Sequence, residues 1–220
     1  MASPLTPESG PPRKVALFGG TFDPIHDGHV FIASEAQRLC HLDEVIFIPC
    51  WQSPHKPGQR AVASHHRVEM ARLAVEGLAW ASVSDFEAAR SESSYSWQTA
   101  EHFTAALPGA QLFWLLGVDQ WQVIDTWGRP EILTQLLTFI VFGRNGQQPE
   151  PNPGFSSVFL PGTFDISATE IRSAIDSITD SITGSITGST TGKGAIPRGL
   201  APRVAAYAAR HRLYSDNEHL

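Results

Sequence analysis

Apolar residues along the chain fall into short dense runs separated by longer stretches with helical spacing. Residues 14–18 (KVALF), 44–49 (EVIFIP), 81–86, 111–116 (QLFWLL) and 138–142 (TFIVF) have the length and side-chain character of buried strands. Residues 157–160 (SVFL) read as a short edge strand. Between the first two runs, residues 29–40 set Val30, Ala33, Ala36 and Leu39 on one helical face. Residues 64–78 and 97–107 read as further helices, and 129–136 as a short one with Pro130 in its first turn. Repeated strand–helix alternation predicts an α/β layer fold with a mostly parallel sheet, joined by right-handed crossovers. Ligands in such sheets bind beyond the carboxyl ends of the strands. The chemistry is therefore expected in the loops after Phe18, Pro49, Phe86, Leu116 and Phe142.

Composition narrows the picture further. The 220 residues are 42% hydrophobic and 17% charged, enough apolar material for one domain spanning 13–220. Residues 1–12 (MASPLTPESGPP) read as a disordered, Pro-rich tail without the basic start or apolar run of a secretory signal. Residues 177–192 repeat SITD-SITG-SITG-STTG, a period of four that matches neither helix nor strand. This low-complexity insertion is expected to be a mobile loop without catalytic duty. Sixteen basic and 22 acidic side chains give a charge of −6, which argues against bulk binding to nucleic acid or anionic lipid. The densest apolar stretch, 112–118, is far too short to cross a membrane. Two cysteines, Cys40 and Cys50, supply neither a disulfide framework nor a four-thiolate metal site, so a reducing, cytoplasmic setting is expected. A homo-oligomer is left open.

The strongest chemical signal is GGTFDPIHDGH, Gly19 to His29, lying between the first strand and the first helix. The expected role of Gly19 and Gly20 is a tight turn that brings amides close to a phosphate. The helix that follows aims its N–H groups and positive dipole end at the same place. His26 and His29, three residues apart, can face one anion, donate hydrogen bonds and, if protonated, offset charge that grows in a transition state. The motif is neither a dinucleotide fingerprint nor a P-loop. A zinc site is not supported, because no third ligand follows at a convincing spacing.

Other residues carry weaker signals. Ser167-Ala168-Thr169-Glu170 is a capping box, hence a helix start, and Ser167, Thr169 and Arg172 one turn in can also hold phosphate there. Gly117 allows close approach of a flat ring, while Asp119 can accept from ribose hydroxyls or cap a helix. Trp127 suits a core as well as a site. His55 and Lys56 sit on a Pro-flanked loop suited to an anionic mononucleotide or simply to solvent.

From Lys14 to Tyr214 the chain resembles the HxGH nucleotidylyltransferases, and among them the bacterial nicotinate-nucleotide adenylyltransferases. The likeness rests on GGTFDPIHDGH together with SPHK at 53–56, SYS at 94–96, GVD at 117–119, DTW at 125–127, Arg144 after TFIVF, ISATEIR at 166–172 and the terminal VAAYAARHRLY. It implies a Rossmann-like, doubly wound sheet with helices on both faces and a small C-terminal helical part. It also implies adenylyl transfer from ATP to nicotinate mononucleotide, giving nicotinate adenine dinucleotide and pyrophosphate in NAD biosynthesis. By that resemblance Gly19, Gly20, Thr21, Phe22, His26, His29, Gly117 and Asp119 bind ATP, and Arg144, Ser167, Thr169 and Arg172 hold its pyrophosphate. His26, His29 and Arg172 would be catalytic. Asp23, His55, Lys56, Ser96 and Trp127 would meet the mononucleotide, with Trp127 covering the nicotinate ring and Ser96 meeting its carboxylate. Mg²⁺ is expected to ride on ATP oxygens, with no protein metal site. Rival readings are another acceptor, such as nicotinamide mononucleotide, phosphopantetheine or a polyol phosphate, and a catalytically silent nucleotide-binding protein.

Overall fold

The computed structural model describes residues 10–52, 61–143, 149–162 and 199–214. Six strands form one parallel sheet: β1 (Lys14–Gly20), β2 (Glu44–Pro49), β3 (Ala81–Val83), β4 (Gln111–Gly117), β5 (Thr138–Phe142) and β6 (Ser157–Leu160). Their order is β3-β2-β1-β4-β5-β6, the doubly wound arrangement in which the chain reverses its direction of travel between β1 and β4. The described helices are α1 (Asp27–Cys40), α2 (Ser64–Val75), α3 (Ser96–Ala106), α4 (Val118–Trp121), α5 (Pro130–Leu136) and α6 (Pro202–Arg210), with a 3₁₀ turn at Ile124–Thr126.

Strand periodicity divides the core between the two faces of the sheet. Ala16, Phe18, Val45, Phe47, Phe113 and Leu115 point one way and pack with Ala33 and Ala36 of α1, Met70 and Ala71 of α2, and Val204 and Ala208 of α6. Val15, Leu17, Ile46, Ile48, Leu112, Trp114 and Leu116 point the other way, against Ala100 and Phe103 of α3, Leu133 of α5, and Trp121, Ile124 and Trp127. The central runs, β1, β2, β4 and β5, are therefore buried on both faces, as a parallel sheet requires, while the edge strands β3 and β6 are only partly covered.

Three strand boundaries differ from expectation. β1 and β4 run on through Gly19-Gly20 and Gly117, because neighbouring strands keep offering ladder partners: Gly20 lies opposite Pro49 and Gly117 opposite Phe142. β3 stops at Val83, opposite Phe47, although β2 itself runs on to Pro49. Beyond it, Phe86 stacks on His102 of α3 with centroids 3.9 Å apart instead of extending the sheet. The insertion at 177–192 and the tail at 1–9 lie outside the described residues.

Candidate active site

The sheet opens a crevice at its centre. The β1–β4 ladder matches residues only as far as Leu17 with Trp114. Beyond that point β1 stays with β2 to Gly20 while β4 stays with β5 to Gly117, so the two central strands part over their last three residues. Gly19, Gly20 and Gly117 end the strands on either side of that opening.

The glycine pair serves a different purpose from the turn expected of it. Both residues are regular strand, and neither has a positive φ. A Cβ on Gly19 would lie 2.9 Å from the Trp114 ring, and one on Gly20 would lie 2.9 Å from the Phe22 ring. They are glycines because two aromatic rings need the space, and the backbone reversal falls later, at Phe22 with φ 48°. The Phe22 side chain is buried core, edge-on to Phe18 and to His29, so only its backbone can reach a ligand.

The two histidines meet at the start of α1. His26 occupies the N-cap in extended conformation (φ −143°, ψ 170°), and its ring lies 3.7 Å from that of His29. The His26 amide donates to His29 Nδ1 at 3.2 Å, which leaves the His29 ring proton on Nε2. Burial pushes His26 down to about 4, so the ring is neutral at pH 7. Of the two roles open to the pair from sequence, His26 is thus set for the neutral, hydrogen-bonding one. Other first-turn groups are already engaged. The Asp27 amide donates to the Gly199 carbonyl at 2.8 Å, and the His29 amide turns back to the His26 carbonyl at 2.9 Å. Among the described residues, Gly28 alone in this turn lacks a carbonyl acceptor for its N–H. Asp23 is also held, accepting from the Tyr214 hydroxyl at 2.7 Å.

Across the crevice the surface is plain. A Cβ on Gly117 would meet nothing within 4 Å, as close approach of a planar ligand requires. Gly117 itself is the N-cap of α4, so Asp119 is the second residue of that helix and not its cap. Ser96 opens α3, whose N-cap is Tyr95. Trp127 is 8% exposed and edge-on to Trp114, so it is largely core, with Gly128 beside it approaching Trp97 and Tyr95. The β1 and β4 residues are thus gathered at one crevice. His55, Lys56, Arg144, Ser167, Thr169 and Arg172 lie outside the described residues.

These features coincide with the likeness to known proteins. A cytidylyltransferase-like family model matches residues 17–174. A relative from Solibacter usitatus (strain Ellin6076), which bears the name of a nicotinate-nucleotide adenylyltransferase, is 39% identical over 203 residues, covering 92% of this chain and all of its own length. Another of that name, from Clostridium botulinum (strain Eklund 17B / Type B), is 35% identical over 176 residues, covering 75% of this chain and 87% of its own. The chain belongs to the nicotinate-nucleotide adenylyltransferase family. The fold agrees as well: nicotinic acid mononucleotide adenylyltransferase of Plasmodium falciparum, solved with NaAD, superposes with a TM-score of 0.70 at 18% identity, over 92% of this chain and 97% of that one.

Sequence reasoning missed a buried charged side chain bonded to the loops after β1 and β2. Arg67 is 1% exposed, yet it lies on the buried face of α2 with Ser64, Val68, Ala71 and Val75. A charged residue at that spacing within an apolar stripe was the available signal.

Proposed function

We propose that this protein transfers the adenylyl group of ATP to nicotinate mononucleotide, releasing pyrophosphate and forming nicotinate adenine dinucleotide. The observation that carries the reading is the pairing of His26 and His29 at the mouth of a crevice between parting central strands. The family relatives named for this reaction support the choice of substrates.

The chemistry asks little of the protein beyond placement. An oxygen of the mononucleotide 5′-phosphate attacks the α-phosphorus in line; one P–O bond forms as the bond to the β-phosphate oxygen breaks. The nucleophile is already ionised at neutral pH, so no strong base is needed. Alignment and stabilisation of charge on the transferring group supply the rate. His29, with its proton on Nε2, donates to an oxygen of that group, and the neutral His26 ring supports it from 3.7 Å. As phosphate charge approaches, the pKa of His26 rises, because an adjacent anion favours imidazolium. The adenosine lies on the open Gly117 side. The donors gathered at the crevice are imidazole and amide N–H groups, which suit anions and not a cation cage. Mg²⁺ carried on ATP oxygens would supply neutralisation of phosphate charge there. Ser167, Thr169, Arg172 and Arg144 are assigned to the leaving pyrophosphate, and His55 and Lys56 to the mononucleotide, by the family pattern alone.

Pyrophosphate release with ATP and each acceptor, measured side by side, tests the reading. Nicotinate mononucleotide should be turned over, and nicotinamide mononucleotide far less. Equal or greater use of the amide would refute the assignment of substrate. ATP binding without pyrophosphate release from any acceptor would establish the silent alternative.

A further inference from the structure

We infer that Arg67 is a positioning residue that sets the backbone of both loops flanking the mononucleotide side of the crevice. The inference rests on the proposed reaction for its kinetic consequences and on geometry alone for its structural ones.

Among the described residues the buried polar side chains are His26, Ser64, Arg67, Glu87 and Thr99. Apart from His26, all of them belong to one assembly behind the β1 and β2 ends. Each nitrogen of the Arg67 guanidinium donates to a different main-chain carbonyl. Nη1 reaches Thr21 at 2.7 Å, Nη2 reaches Trp51 at 2.9 Å and Nε reaches Val62 at 2.7 Å. Thr21 follows β1, Trp51 follows β2 and Val62 precedes α2. Ser64 Oγ donates to the Ala88 carbonyl at 3.2 Å, and Thr99 Oγ1 to Glu87 at 2.7 Å. The Trp51 amide in turn donates to Ser94 Oγ at 3.1 Å, which joins the loop after β2 to the segment before α3.

Peptide geometry makes this more than a brace. In a trans peptide the carbonyl and the next N–H point in opposite directions. Drawing the Thr21 carbonyl onto Arg67 turns the Phe22 amide away from the guanidinium, and drawing in the Trp51 carbonyl does the same for the Gln52 amide. Arg67 thereby fixes the direction of one donor in each of two loops. No carboxylate within salt-bridge reach of the guanidinium is found among the described residues, so the three carbonyl dipoles stabilise its charge. That charge sits immediately behind a loop assigned to phosphate. A lysine keeps the charge but is a point donor that cannot span three fixed carbonyls as a planar fork does.

Substitution by lysine should therefore misalign the reactants more than it weakens either one's binding. Arg67→Lys is expected to lose about 10–100-fold in kcat, the scale of a misplacement near 1 Å. KM for ATP and for nicotinate mononucleotide should change only a few-fold. Arg67→Ala should regain part of its kcat when guanidinium or methylguanidinium is added. Rates are normalised to the folded fraction read by near-UV circular dichroism. Amide hydrogen exchange at 21–23 and 51–52 should quicken in Arg67→Lys even without substrates. The inference is overturned by an Arg67→Lys enzyme within twofold of wild type, by a loss that vanishes on normalisation, or by unchanged exchange in both loops. If the wild-type chain turns over no acceptor, the functional reading falls by itself, and exchange still decides the role of Arg67.

Discussion

The two strands that part at the crevice end in very different surroundings. The β1 end leads into a loop held from all sides: Thr21 by Arg67, Asp23 by Tyr214, Asp27 by Gly199 and His29 by the His26 amide. It opens a helix of 14 residues, long enough to present a substantial dipole. The β4 end leads through an open glycine into a helix of four residues, with Asp119 exposed on it. A site that stabilises charge at one phosphorus atom needs donors that do not reorganise when the charge appears, whereas one that admits a planar base and a ribose needs mainly an unobstructed approach. The difference supports the proposed division, with phosphate chemistry at β1 and nucleoside binding at β4.

The sharpest test of that division is His29→Ala. It removes a single preorganised donor from the β1 side and should lower kcat by about 10²–10³-fold. The half-buried ring is edge-on to Phe22, so some loss of stability accompanies it, and a thermal melt must show that the variant is folded. Asp119→Ala, on the β4 side, should raise the KM for ATP and leave kcat nearly intact. If the two variants exchanged these signatures in steady-state kinetics, the assignment of roles to the two strands would be reversed.

A second test uses pH. His26 titrates at about 4 when folded and near 6.5 when unfolded, so between those values the unfolded chain binds more protons. Stability contributed by the neutral ring is whole above pH 6.5 and is lost as the pH falls toward 4, up to about 3 kcal/mol in all. Glu87 acts in the opposite sense. Burial pushes its carboxyl up, so its contribution is present at low pH and declines as the pH rises through its folded-state value. Urea unfolding from pH 4 to 7 should therefore show a shallower slope for His26→Gln than for wild type. Parallel slopes would mean that the ring is not desolvated as the fold implies.

Much of this arrangement was legible in the sequence because a parallel sheet is written as dense apolar runs, and a strand–loop–helix phosphate site as consecutive residues. GGTFDPIHDGH announced itself for that reason. Features made by residues distant in sequence did not. Arg67 reaches Thr21 from 46 positions away and Tyr214 reaches Asp23 across 191, and no local spacing encodes either contact. Gly19 misled in a more instructive way. Glycine suggests a turn, but here the cause is the indole of Trp114, on a neighbouring strand that the chain reaches only after three further helices. Asp119 was legible as a polar residue near a helix start, but not its place two steps beyond the cap, because Gly117 takes the cap position through its extended backbone (φ −85°, ψ 162°).

The smallest effect separates the glycines themselves. Gly19→Ala forces a methyl to 2.9 Å from the Trp114 ring, closer than carbon atoms approach, so the indole or the strand must shift. Overpacking of this kind should cost about 1–3 kcal/mol of stability, read from urea midpoints. Gly117→Ala adds the same methyl where nothing lies within 4 Å, and its φ of −85° suits any residue, so stability should change little. That methyl projects at the crevice mouth and should instead weaken ATP, seen as a raised KM. One substitution at two strand ends thus gives opposite readouts, a stability loss beside β1 and a binding loss beside β4. A stability loss at Gly117 as large as that at Gly19 would show that the β4 end is packed as tightly as its neighbour, and the division of labour between the strands would lose its physical basis.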